Sequence, residues 1–319
     1  MRRIHILHEN AAWLPPLAEA LDQRRLAWTE WFLDAGTFDL AQPPPQGVFY
    51  NRMSASSHTR DHRFAAELTA AVLAWLVRWG RPVVNGPSAL DLEISKARQY
   101  AVLESHGIPV PRTVLVAGRE RVAAAAQRHF ADQPFILKPN RGGKGLGVRL
   151  FPSVDALQNY LTSHEYEAPV DGLHLLQEFV RAPRPLITRA EFVGGRFLYA
   201  VEVDTGDGFE LCPADACAVG DANCPAAAEP RSKFTIIDGN ASSLRTRLER
   251  FLSAAGIDVA GIEFITDHEG RTLVYDVNTN TNYNPEAEAR SGRIGTSRSG
   301  PGAIAELLGA ELHRLSAAA

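Results

Sequence analysis

Hydrophobic and polar positions alternate along the first ninety residues with two different periods. Ile4 to Leu7 is a short apolar run, Leu14 to Arg25 has helical spacing, and Trp28 to Leu33 and Gly47 to Tyr50 read as two more strands. Arg63 to Trp79 is helical again, and Pro82 to Asn85 reads as a strand closed by Gly86-Pro87. Strands interleaved with helices predict a small open parallel sheet, and a boundary is expected after it. Beyond it, Leu90 to His106 has the period of a single helix that stops at Gly107, while Pro109 and Pro111 force extended backbone. Val114 to Val116, a helix over Arg119 to Phe130, and strands over Phe135 to Lys138 and Val148 to Phe151 predict a compact α+β unit. A final helix spans Ala303 to Leu315, before a tail from Ser316 to Ala319 expected to fray.

Between the strands at Phe135 and Val148 lies FILKPNRGGKGLGV, where four glycines fall within the nine residues after Lys138. Bare backbone suits positive φ or close approach of a ligand, and exposed N–H groups beside Lys138, Arg141 and Lys144 would cradle phosphate oxygens. Neither G-x-G-x-x-G nor a Walker A loop fits, so on the loop alone a turn with solvated lysines stays open. A second stretch, GIEFITDHEGRTLVYDVNTNTNYN, reads as a hairpin: Ile262 to Ile265 and Thr272 to Val277 flank an Asp-His-Glu-Gly turn. Strand alternation puts Asp276 and Asn278 on one face, with Glu263 across from Asp276. Two carboxylates and an amide oxygen suit Mg²⁺ shared with substrate phosphates; an ordinary acidic surface is the alternative. LLQEFV, Leu175 to Val180, is a short apolar strand before the irregular RAPRP.

At 319 residues, 45% hydrophobic and 22% charged, the chain can bury a substantial core in more than one lobe. A net charge of −4 argues against nonspecific binding to nucleic acid or anionic membranes. The N-terminal residues carry no signal-peptide pattern and no later segment is long enough to span a membrane, so the expected location is cytoplasmic. Cys212, Cys217 and Cys224 have neither zinc-ribbon nor C-x-x-C spacing and are expected to be reduced thiols.

Taken together, these motifs resemble the ATP-grasp superfamily of carboxylate–amine ligases, most closely its RimK-like peptide and glutamate ligases. The resemblance covers nearly the whole chain. Val83 to Val116 looks like the family's entry segment with Lys96, FILKPNRGGKGLGV like its second lysine and flexible loop, QEFV like its hinge strand, and Glu263, Asp276 and Asn278 like its metal ligands. The resemblance implies an α/β and α+β ATP-grasp fold: a pre-ATP-grasp domain over residues 1–88, a central subdomain over 89–174, and a C-terminal subdomain over 175–319. It implies that ATP is held by Lys96, Lys138, Lys144, the backbone of Gly142, Gly143, Gly145 and Gly147, and an adenine pocket of Gln177, Glu178, Phe179 and Val180. Glu263, Asp276 and Asn278 would hold Mg²⁺ or Mn²⁺, and Arg189, with Lys138, would steady the transferring phosphate. The implied reaction joins a carboxylate, activated as an acylphosphate, to the amine of an amino acid or peptide. A carboxylate kinase and a nonenzymatic ATP-binding regulator are the alternatives.

Two departures bear on that expectation. Where the family has Asp-x-Arg the chain has Ile187-Thr188-Arg189, and after Asn278 it reads Thr-Asn-Thr-Asn-Tyr-Asn instead of a Pro-Gly turn. Substrate contacts are expected from the polar loop Phe49 to Arg60, with Arg52 and Arg60 as candidates, and from Asn280 and Arg293, the latter in a Gly/Ser-rich run with Arg290 and Arg298. Solvated loop arginines are the alternative reading. A homo-oligomer is left open.

Overall fold

The computed structural model describes residues 2–206, 233–238 and 243–317, and three sheets organise them. In the first, β1 (Arg3–His8), β2 (Trp28–Phe32), β3 (Gly47–Asn51) and β4 (Val83–Val84) run parallel in the order β2-β1-β3-β4, crossed over by α1 (Pro15–Gln23) and α2 (Ala65–Arg78). The wholly buried run of β3 is what a parallel strand covered on both faces requires. These elements follow the sequence expectation to within a residue or two at each end.

The next stretch corrects it. Residues 90–106 form not one helix but two, α3 (Pro87–Glu93) and α4 (Lys96–Ser105). Ser95 breaks the run: its backbone is extended (φ −146°, ψ 101°), and its side chain caps α4 by accepting from Arg98 N. Gly107 does end the helix in the left-handed region, at φ 67°.

The second sheet is antiparallel, β5 (Thr113–Ala117), β6 (Phe135–Pro139), β7 (Arg149–Phe151) and β8 (Leu173–Glu178) in the order β5-β8-β6-β7, backed by α5 (Arg119–Phe130) and α6 (Val154–Thr162). Strand β8 lies at its centre, between β5 and β6. The third sheet, also antiparallel, orders β9 (Leu186–Val193), β10 (Arg196–Asp204), β11 (Phe234–Ile237), β12 (Val259–Thr266) and β13 (Thr272–Asn278) as β11-β10-β9-β12-β13. Helices α7 (Ser243–Ala255), α8 (Pro285–Arg290) and α9 (Gly300–Ala317) complete the described chain, so α9 continues past Ser316 into the tail expected to fray.

Packing units are not contiguous segments. Ala89, Leu92, Tyr100 and Leu103 of α3 and α4 share a core with Phe192, Phe251, Ile262 and Val277 of the third sheet and α7. Ile304, Ala305 and Leu308 of α9 return to pack on Ile4, Ile6 and Tyr50 of the first sheet. Among the described residues no helix is long and apolar enough to cross a membrane. Cys212, Cys217 and Cys224 lie outside the described residues.

Candidate functional site

A cleft of about 680 Å³ opens between the two antiparallel sheets. The loop from β6 to β7 covers it from one side, the chain leaving β8 forms its edge, and β9, β12 and β13 form the opposite wall. Gly142, Gly143 and Gly145 line it beside Lys144. Gly145 and Gly147 sit at φ 75° and 74°, where a side chain is strained, and Lys144 joins them at φ 60°. A Cβ on Gly143 would meet only Ser56, at 3.5 Å and beyond, which leaves that backbone open to a ligand. Lys144 reaches across so that its ammonium lies 5.2 Å from the centroid of Trp13, tying the loop to the first sheet's margin.

The two lysines of the entry segment and β6 are both buried, for different reasons. Lys96 takes the first position of α4, whose end is pinned to β6: Asn140 Oδ1 accepts from Ala97 N at 2.9 Å, and Asn140 O accepts from Lys96 N at 3.2 Å. Lys96 Nζ donates to Asp276 Oδ1 at 2.7 Å. Burial works against its charge, but Asp276, together with Tyr100 and Glu93, outweighs that and raises the ammonium above its ordinary value. Among the described residues Lys138 pairs with no carboxylate: its Nζ donates to the Tyr100 hydroxyl at 2.6 Å, and burial, with the Lys96 charge nearby, pulls it down to about 7. A buried ammonium that lacks a counter-ion is a seat for an anion. Gln177 donates to the same hydroxyl at 3.1 Å and to Thr113 Oγ1 at 2.7 Å, so it braces Lys138 from behind. Glu178 is turned to Arg112 N at 2.8 Å, while Phe179 and Val180 line the cleft beyond β8.

On the opposite wall, β12 and β13 pair so that Glu263 faces Asp276, and a bulge leaves Tyr275 as the extra residue just before them. Asn278, two residues on, donates through Nδ2 to Gly261 O at 3.4 Å. Among the described residues no three His, Cys, Asp or Glu side chains group into a metal site. Glu263, Asp276 and Asn278 all line the cleft, and two carboxylates with an amide oxygen are a hard-oxygen set that suits Mg²⁺ once phosphate oxygens add to it. Arg189, on β9, is held between these walls. It donates to Glu191 Oε1 at 2.7 Å, Glu263 Oε1 at 2.7 Å and Thr281 Oγ1 at 2.6 Å. Burial opposes its charge, and the two carboxylates more than compensate, raising the guanidinium above its ordinary value. Gly261 makes room: a Cβ there would fall 2.5 Å from Arg189 Nη2.

The four substrate candidates separate. Asn280 lines the cleft with its Oδ1 buried and unpartnered. Arg52 sits just behind that end, donating to Trp13 O at 3.0 Å and Asn282 Oδ1 at 2.9 Å, where Trp13, Ser54, Ser56 and Asn282 form the wall. Arg60 is clamped on buried Glu9 through two hydrogen bonds of 2.6 and 3.0 Å, and it is not in the cleft wall. Arg293 pairs with Asp238 and lies against the Tyr199 ring, also away from the cleft.

This architecture has counterparts among solved structures. The ATP-grasp ligase PsnB, complexed with a minimal precursor, superposes with a TM-score of 0.66 over 97% of this chain and 99% of that one, at 17% identity. An ATP-grasp RimK domain protein from Sphaerobacter thermophilus gives 0.64 over 95% and 98%, at 18% identity. The chain has the ATP-grasp fold. A further PsnB structure with this fold holds Mg and ADP together with the precursor. In sequence, the chain is 25% identical over 218 residues to beta-citrylglutamate synthase B of Danio rerio, covering 66% of this chain and 48% of that protein. The chain thus spans about half the length of the curated relatives it matches. No protein-family model matches it.

Residues that the sequence did not single out support the cleft from its wall and from behind it. Glu93 accepts from Ala55 N at 3.1 Å and Thr279 N at 2.7 Å, joining the first sheet's loop to the chain after β13; burial raises its carboxyl even though those N–H groups oppose the shift. Glu191 and Thr281 hold Arg189. The Gly194-Gly195 pair, at φ 61° and 67°, was the available signal for the β9–β10 hairpin that carries Arg189 and Glu191.

Proposed function

We propose that the protein is an ATP-dependent ligase that activates a carboxylate as an acylphosphate and couples it to the amine of an amino acid or peptide, releasing ADP and phosphate. One observation carries this reading: Lys96, Lys138, Arg189, Glu263, Asp276, Asn278 and the glycine loop all border a single cleft between two antiparallel sheets. The names of the relatives, and a PsnB structure that holds a precursor peptide, support amino acids or peptides as the substrate class.

A carboxylate is a poor acyl donor, and moving a phosphoryl group onto it gives the amine a leaving group to displace. When bound, Mg²⁺ or Mn²⁺ would supply charge neutralisation at the phosphate oxygens, held by Glu263, Asp276 and Asn278. Lys138 meets the nucleotide's phosphates with a charge that lacks a counter-ion in their absence. Lys96, already neutralised by Asp276, contributes less charge and more orientation. Arg189 faces the cleft from the carboxylate side and neutralises charge on the oxygens in transit. The glycine loop excludes water that would otherwise hydrolyse the acylphosphate. The side chains of Gln177 and Glu178 are engaged elsewhere, so adenine is read by the main chain leaving β8.

The test is incubation of the purified protein with ATP, Mg²⁺ and pools of amino acids and short peptides while ADP, AMP and phosphate are followed. Acceptor-dependent ADP and phosphate are expected. AMP with pyrophosphate would mean adenylation and overturn the proposal.

A further inference from the structure

Arg189, Glu191 and Thr281 form a closed ring of hydrogen bonds. Arg189 Nε donates to Glu191 Oε1 at 2.7 Å, Arg189 Nη2 donates to Thr281 Oγ1 at 2.6 Å, and Thr281 Oγ1 spends its single proton on Glu191 Oε2 at 2.8 Å. Every donor in the ring has one acceptor, so the guanidinium plane can neither rotate nor slide along β9 without breaking a buried bond. Glu191 and Thr281 are 2% and 1% exposed, which makes such a break costly. The ring leaves Nη1 for Glu263, at 2.7 Å, and one N–H on each terminal nitrogen for the cleft.

The charges add a second consequence. Arg189 touches two carboxylates, so the group of three carries one net negative charge. Were Glu191 uncharged, Arg189 would be balanced by Glu263 alone, and Glu263 would have no charge to spare for a cation.

We propose that Glu191 is a positioning residue for phosphoryl transfer: with Thr281 it fixes Arg189 across Gly261, and by balancing the guanidinium it keeps Glu263 available to the metal–nucleotide complex. The proposal rests on the ligase reading of this cleft. It also answers the departure at Ile187-Thr188-Arg189, because the acid absent before the arginine is supplied two residues after it, on the same face of β9.

Binding of Mn²⁺ in the presence of ADP, followed by the loss of the free-ion electron paramagnetic resonance signal, tests this without an acceptor substrate. Glu191→Gln, an isosteric change, should weaken Mn²⁺ binding by on the order of tenfold, the usual effect of losing a group that supports a metal ligand. Glu191→Asp should recover part of that loss, and a purely structural role would instead lower the melting temperature of both variants with Mn²⁺ affinity unchanged. If Glu191→Gln does not fold, Thr281→Val opens the ring without altering charge, and it should weaken Mn²⁺ binding by a measurable but smaller factor than Glu191→Gln is expected to. Parental Mn²⁺ affinity in folded Glu191→Gln, or in Thr281→Val where only that variant folds, overturns the proposal alone. Failure of the parent to bind Mn²⁺ with ADP would instead remove the nucleotide reading, and this inference with it.

Discussion

Lys138→Met should make the protein more stable and less able to bind nucleotide, and the first effect should depend on pH in a way the structure fixes. Burial pulls the Lys138 ammonium from an ordinary 10.5 down to about 7. In the unfolded chain the group stays protonated until pH passes 10.5; in the folded chain it loses its proton near 7. Between those values the unfolded state holds the extra proton, so the parent's stability rises with pH through the window, and the cost of burying the charge is fully present below about 7. Each pH unit inside the window is worth about 1.4 kcal/mol. From pH 7 to pH 9, allowing for half-titration at the lower end, the parent recovers about 2 kcal/mol that Lys138→Met never lost.

Methionine is close in length and needs no hydrogen bond, and Tyr100 keeps its bonds to Tyr275 O at 2.8 Å and from Gln177 at 3.1 Å, so no buried polar atom is orphaned. Urea denaturation of both proteins at pH 7 and pH 9 measures the difference directly, and other titrating groups cancel in the comparison. The variant's advantage should shrink by about 2 kcal/mol across that range. An advantage that stays constant would mean that Lys138 is charged throughout, and the argument from its missing counter-ion would fail. In the same samples, ATP should raise the melting temperature of the parent and not that of the variant.

Asp276→Asn removes one carboxylate of the metal set and the partner of Lys96, so acceptor-dependent ADP formation should fall by about a hundredfold, and the melting temperature should fall as well because the buried Lys96 ammonium loses its counter-ion; parental activity of the folded variant at limiting Mg²⁺ would refute the metal assignment. Gly145→Val forces a β-branched residue to φ 75°, costing ~1–2 kcal/mol, and should lower turnover more than that cost implies. Hydrogen exchange over Asn140 to Arg149 with and without a nonhydrolysable ATP analogue checks the premise, since equal protection would make the loop a rigid hairpin. Ser95→Ala deletes the cap of α4 and should cost about 1 kcal/mol in urea denaturation while weakening ATP binding, because Lys96 starts that helix; unaltered ATP affinity would separate the cap from the site.

What the sequence made legible followed from how each element meets its neighbours. The parallel strands β1 and β3 are apolar runs because both faces are covered, and the β12–β13 hairpin announces itself through its turn and its alternation. Strand β9 was hidden because Arg189 and Glu191 are buried where alternation calls for apolar residues, and a strand built around an ion pair looks like a loop. Helices α6 and α7 were within reach: Leu244, Leu248, Phe251 and Leu252 have plain helical spacing, and Ser153 caps α6 by accepting from Ala156 N. The helix drawn over Leu90 to His106 had the right period but missed Ser95, whose capping role depends on an extended backbone that periodicity does not report.

The same limit decides which arginines belong to the site. Arg52, Arg60, Arg189 and Arg293 are all cations near polar, flexible-looking sequence, and composition ranks none above another. What separates them is the partner each finds: Glu9 for Arg60 at a separation of 51 residues, Asp238 for Arg293 at 55, Asn282 for Arg52 at 230, and Glu263 for Arg189 at 74. An arginine that is paired by an acid outside the cleft is spent on the fold, whereas Arg189 shares its acid with the candidate metal site, and its charge is therefore coupled to whatever occupies that site. That coupling is a property of three strands meeting, β9 beside β12 beside β13, and so it becomes visible only when the sheet is assembled.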